Sequence, residues 1–222
     1  QQLGDWQDDL RKVIQLGPDH ISTYCLTFEE DTALYAKLAQ GKIAIDPERE
    51  AVFYEWAWKY LPEQGFSQYE ISNYAKPGKE CRHNLNTWKM NDWIGYGPSA
   101  SSQIKGIRRK NFSNINSWAE KLILDQSLDY EEWTEIRELE LARDAILFGL
   151  RMNQGINVNE ICEKFTLDPC LFSEIVSFLD ALVKEGLAIE ERGNHRLTNE
   201  GRIRCDAIAC ELPELSTFVT SN

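Results

Sequence analysis

Residues 80–88 read ECRHNLNTW. They gather an imidazole at His83, a guanidinium at Arg82, a thiol at Cys81, carboxamides at Asn84 and Asn86 and an indole at Trp88, with Met90 and Trp93 just beyond. His83 can ligate a metal or relay a proton near neutral pH, and Cys81 and Met90 add sulfur donors of the kinds that hold iron. Between positions 76 and 89 stand Lys76, Lys79, Arg82 and Lys89, with Glu80 as the only acid. In a chain of net charge -12, such a local basic cluster suits a carboxylate or phosphate group. An axial nitrogen, cations for propionates and flat indole faces are what an anionic porphyrin asks of a protein. A solvated charged loop around a structural histidine is the plainer reading of the same residues.

Two neighbouring stretches also bear on a site. In NYAKPG, Asn73 can either hydrogen-bond a turn of its own loop or hold a ligand. In DWIGYGPSASS, Gly95 and Gly97 permit a close backbone approach, and the small residues from Ser99 to Ser102 leave room beside it. The stretch lacks GxGxxG and a helix opening, so it is not a dinucleotide loop; a simple turn between strands explains it equally well.

These residues must be positioned by the elements around them. Leu3, Trp6, Leu10, Val13 and Ile14 fall on one helical face, and Gly17-Pro18 stops that helix. HISTYCL follows as a buried strand, and helix, short turn and strand together imply half of a βαβ repeat in a parallel sheet. FEEDTALYAKLAQGK predicts a short helix closed by Gly41. Asp46-Pro47 opens a longer helix that ends at Gly65. FSQYEIS and DWIGYGPSAS read as strands, which sets ECRHNLNTW on a connection between them. From Trp118 the pattern is helical, with Leu139, Ala142, Ile146 and Leu150 on one stripe of a helix over 131–151. NVNEICEKF and LFSEIVSFLDALVKEGL predict two more helices, LAIEERGNHRLTNEGR a hairpin around Gly193-Asn194, and Asn199 onward a last helix. That order is a winged-helix pattern.

Composition limits the function. From Ile156 to Leu212 there are six Lys and Arg against eleven Asp and Glu, and a groove-reading helix needs phosphate neutralisation that this face does not supply. Nucleic acid is therefore not expected as a partner, and a packing or docking module is preferred to a transcription factor. No apolar run approaches the roughly 20 residues that span a bilayer, and QQLGDWQDDL lacks the basic start and apolar centre of a secretory signal. Six cysteines at 25, 81, 162, 170, 205 and 210 contain no CxxC pair, so reduced thiols and a cytoplasmic location are expected and a zinc site is not.

The stretches YEISNYAKPGKECRHNLNTW, DWIGYGPSASS and LTNEGR, in this order and starting from the DW-x-x-DL helix, resemble the HemW family of heme chaperones. That family belongs to the radical SAM proteins related to oxygen-independent coproporphyrinogen III oxidase. The resemblance implies an incomplete (β/α) radical SAM barrel over residues 1–117, carrying the heme-motif loop, and an α-helical winged-helix-like domain over residues 118–222. It implies heme as ligand, with His83 as the metal ligand in an HNxxYW-like motif and Arg82, Asn84 and Trp88 beside it. Thr87 stands where that motif has tyrosine, and GPSASS where the family reads GPGAHS.

Further expectations follow from the resemblance alone. Full-length members use S-adenosylmethionine and a [4Fe-4S] cluster held by CxxxCxxC, a spacing that these 222 residues do not contain; the chain corresponds to the C-terminal part, and no radical catalysis is expected from it alone. Thr27, at the end of the HISTYCLT strand, and Ser101 would face the S-adenosylmethionine pocket. The expected partners are heme and a hemoprotein acceptor, with peripheral membrane association through partners allowed. The alternative function is that of a coproporphyrinogen III oxidase.

Overall fold

The apolar spacing of the first segment produces helix α1, Leu3–Gln15, with Leu10 buried and Trp6 stacked on Phe53 at 6.4 Å. It stops at Gly17, whose φ of +67° a residue with a Cβ rarely adopts. The computed structural model describes residues 1–124 and 130–215, and the chain forms two compact units, Gln1–Cys81 and Arg82–Asn222.

In the first unit, α1 is followed by strand β1, His20–Ser22, and helices α2, Ala33–Ala39, and α3, Pro47–Glu63. Asp46 caps α3 by accepting from the Arg49 amide at 3.1 Å, with Pro47 at the first turn; both helices begin and end as their caps and glycines predict. Trp58 and Leu61 carry α3 into a core with Leu10, Ile21, Phe66, Ile71 and Tyr74. Strands β2, Ser67–Gln68, and β3, Asn73–Ala75, complete a sheet of order β1-β3-β2.

That sheet differs from the parallel one expected. Both of its pairings are antiparallel, as is every pairing between named strands. The cause is local: Glu70 accepts from the Ser72 amide at 2.7 Å and from Asn73 Nδ2 at 2.6 Å, closing a tight reversal in which the Tyr69 amide donates to Asn73 O. The expected FSQYEIS strand is thereby cut to two residues. HISTYCL is likewise shorter than expected, because after Ser22 the Thr23 amide turns to Ser72 O and the Cys25 amide is taken by the Tyr54 hydroxyl. Thr27 consequently lies five residues past the strand, not at its end.

The second unit opens with helix α4, Arg82–Trp88. Strands β4, Ser101–Ile104, and β5, Ile107–Lys110, form a hairpin, helix α5 spans Ile115–Ile123, and β6, Glu132–Glu135, pairs with β5. The helix expected from 131 therefore begins later, as α6, Glu138–Gly149. Trp133 and Thr134 suit a strand, and Lys110 holds Glu132 at 2.8 Å across the ladder. DWIGYGPSAS contributes a single bridge from Trp93 to Gln103 and, at its last residue, Ser101, the start of β4. After α6 come β7, Ile156–Asn157, α7, Val158–Phe165, a 3-10 turn at Pro169–Phe172, and α8, Ser173–Lys184. Strands β8, Ala188–Glu191, and β9, Asn194–Leu197, form the expected hairpin, in a sheet of order β7-β9-β8, before helices α9, Asn199–Ile203, and α10, Cys205–Glu211. Leu139, Ala142, Ile146 and Leu150 are all buried, as their stripe predicts. Among the described residues no helix is long and apolar enough to cross a membrane.

Candidate functional site

The HNLNTW motif is a helix, not the connecting loop expected. Arg82–Trp88 contains no glycine or proline to break a turn, and the helix packs against α6, where Trp88 meets Phe148. His83 is exposed, and its imidazole has no protein partner among the described residues. Five residues on, Trp88 points to the other side of the helix, tilted against Phe148 at 5.5 Å with the Arg151 guanidinium 5.3 Å from its ring. Asn84 shares the inward side with Trp88 and is half-buried, whereas Arg82 is exposed like His83. Position 87 stands one turn after His83 on the exposed side, and Thr87 Oγ1 donates to the carbonyls of His83 at 3.1 Å and Asn84 at 2.9 Å.

The far end of α4 is closed by a two-bond cap. The Met90 amide donates to Thr87 O at 2.9 Å and the Asn91 amide to Asn86 O at 3.1 Å, with Met90 at φ +51°. This is the Schellman arrangement, which normally uses glycine at that position. Met90 tolerates it because its side chain enters the core with Leu141 and Ala145, against Phe148, Ile161 and Phe165. Its thioether, a candidate iron ligand by sequence, is 4% exposed and packs the core instead.

From α7, Lys164 Nζ donates to Lys89 O, to Met90 O at 3.3 Å and to Asn91 Oδ1 at 2.8 Å. Burial pulls this ammonium below the ordinary lysine range; Asp92 opposes that shift and Lys89 adds to it. Nothing in the sequence pointed to Lys164 or Arg151, because the residues they serve lie far away along the chain.

The remaining candidates have local explanations. Gly95 is small because the chain itself approaches: a Cβ there would lie 2.3 Å from Ser101 O. Asn111 pins the same stretch by donating to Gly97 O at 2.9 Å, and the Gly95 amide donates to Ser102 Oγ at 3.0 Å. Ser101 is exposed at the start of β4, where its carbonyl accepts from Trp93 Nε1 at 3.2 Å.

In the first unit, Lys76 and Lys79 of the basic cluster pair with Asp19 at 3.6 and 3.2 Å, and this holds the Asp19 carboxyl below its usual range. Asn73 is fully buried in β3. Besides donating to Glu70, it accepts from Ser22 Oγ at 2.6 Å and donates to the Tyr24 hydroxyl at 2.9 Å. Thr27 is exposed in this unit, whereas Ser101 and His83 belong to the other.

An apolar cleft of about 240 Å³ in the first unit is lined by Trp6, Cys25, Leu26, Phe53 and Tyr54. In the second, a cleft of mixed polar and apolar lining, of about 510 Å³, runs from Trp88 past Gly149 and Met152 to Asn157 and Asn194. His83 lines neither. Among the described residues no group of three or more His, Cys, Asp or Glu is placed to hold a metal ion.

Comparison with known proteins gives these features a context. The fold is similar to that of coproporphyrinogen III oxidase (HemN) from Escherichia coli, a radical SAM enzyme, with a TM-score of 0.69 at 19% identity over 95% of this chain and 51% of that one. The mixed α/β architecture, with its small sheets, thus matches the fold of about half of that chain. In sequence the chain is 30% identical to the heme chaperone HemW of Bacillus subtilis, over 91% of this chain and 53% of that protein. It is also 30% identical to the mitochondrial radical S-adenosyl methionine domain-containing protein 1 of Dictyostelium discoideum, over 94% and 53% respectively. No family model matches the chain. In sequence and in fold alike the chain is similar to HemW-like radical SAM proteins. It spans about half the length of the curated relatives it matches.

Proposed function

We propose that this chain is the heme-handling part of a HemW-like chaperone, which binds heme through His83 and passes it to a hemoprotein acceptor. The observation that carries this reading is an imidazole, in the family's motif, standing exposed and without a protein partner among the described residues, at the edge of a well-anchored helix. Heme is cargo in such a protein, and an exposed ligand suits an iron bond that must form and be given up. The fit lies in the donor chemistry: a neutral imidazole nitrogen ligates iron, and Arg82, exposed beside it, offers a guanidinium to a propionate. Trp88 serves the motif from the inward side by seating α4 on α6, and Asn84 stands one turn before it on the same side.

Thr27 and Ser101 remain proposed S-adenosylmethionine-facing residues of the whole protein, supported by the family likeness and by their exposure. We extend the same reading to a (β/α) barrel for the part up to residue 117, a winged-helix-like module after it and a cytoplasmic location. The helix, helix and hairpin order of α7, α8, β8 and β9 supports the module.

The test is a heme titration of the reduced protein. A shifted Soret band in the wild type that disappears in His83→Ala is expected, and a spectrum indifferent to the substitution overturns the assignment. The oxidase reading is favoured by the fold of HemN. Decarboxylation of coproporphyrinogen III by the whole protein would establish it, whereas retention of heme without turnover supports the chaperone.

A further inference from the structure

Helix α4 has only two turns, so its own hydrogen bonds do little to fix its direction. Its inward face is set by Trp88 on Phe148 and by Met90 in the core, but both contacts are apolar and allow the helix to roll. Lys164 removes that freedom. Its ammonium has three N–H donors, and all three acceptors it meets lie within Lys89–Asn91, at the C-terminal end of the helix, where a cation is favoured by the dipole. With every donor engaged, Lys164 is not an anion site, although it also borders the cleft beside Trp88.

We propose that Lys164 is a positioning residue for the His83 motif: from α7 it clamps the carbonyl end of α4 and so fixes the direction in which the helix presents the imidazole. The proposal rests on the heme reading of His83 and deepens it. Arg151, just past the end of α6, stands over the Trp88 ring beside Phe148 of α6, so that α4 is held from the α6 side as well as from α7.

The experiment compares Lys164→Met, Lys164→Arg and the milder Asn91→Ala, which removes one of the three acceptors, with Lys184→Met as a control on α8. Amide hydrogen exchange over residues 83–91 reads the clamp without any ligand. Hemin titration, with the Soret position and ferric spin state, reads the presentation of His83. For Lys164→Met we expect exchange in α4 to rise, and hemin affinity to fall, by about tenfold, the effect of losing a charge-assisted contact. Lys164→Arg should restore part of both, Asn91→Ala should fall between, and exchange in α8 should not change.

Wild-type exchange in α4 of Lys164→Met overturns the clamp. Faster exchange with an unaltered hemin spectrum, in a protein whose spectrum does depend on His83, overturns the positioning role. If the wild-type spectrum ignores His83→Ala, the heme reading fails together with the positioning role, and exchange in α4 alone decides the clamp.

Discussion

Thr87 lies one helical turn beyond His83, and its hydroxyl returns to the His83 carbonyl at 3.1 Å. The side chain that replaces the family's tyrosine is thus spent on the helix backbone, a bond that serines and threonines make inside helices without strengthening them. A tyrosine there would instead set a ring and a phenol beside the imidazole, on the exposed side of α4. Thr87→Tyr is expected to tighten hemin binding several-fold and to leave thermal stability nearly unchanged, because the position is only half-buried. Isothermal titration alongside a melting curve checks both; unaltered affinity would show that position 87 does not contact the porphyrin.

Met90 sets two energies against each other. A left-handed conformation costs a residue with a Cβ roughly 1–2 kcal/mol, which glycine would recover, but deleting a buried methionine side chain costs about 2–5 kcal/mol. Burial wins, so Met90→Gly should destabilise the protein by about 2 kcal/mol, whereas Met90→Leu, which keeps volume and apolarity, should cost less than about 1.5 kcal/mol. Urea denaturation of the two variants measures the order. A glycine variant as stable as the wild type would mean that backbone strain, not core packing, governs this cap.

The Tyr54 phenol is pushed up to about 12 by burial, with the Ser72 hydroxyl at 3.4 Å pulling the other way. Its folded-state value lies above its ordinary value of 10.0, so the stabilisation it gives is complete below pH 10.0 and is lost as pH rises through about 12. Ultraviolet titration of the wild type minus Tyr54→Phe should show the extra phenolate only near the upper value. Over the same window the wild type should lose stability relative to Tyr54→Phe, and a phenolate appearing with the ordinary tyrosines would refute the burial argument.

Periodicity and caps made the helices legible. The stripe through Leu139, Ala142, Ile146 and Leu150, the Asp46-Pro47 start and the Gly17 stop each depend on residues within a few positions of one another, and each appears as read. Where strands were concerned the same reasoning failed. HISTYCL and FSQYEIS have strand composition, but the length of a strand is decided by which partners its amides find. Here the Tyr54 hydroxyl and the Glu70 carboxylate intercept them. The parallel sheet was inferred from a repeat pattern that the Glu70 turn reverses.

By itself the sequence determined the chemical content of the candidate site: one imidazole with a guanidinium beside it, in a local basic cluster on a chain of net charge -12. Only the tertiary structure decided that the motif is a helix, that His83 and Trp88 leave it on different sides, that Met90 is core rather than ligand, and that Lys164 closes its far end. The physical reason is range. Residue type and helical spacing act over a few positions, whereas the direction of a two-turn helix is set by contacts from α6 and α7, some 60 to 75 residues along the chain.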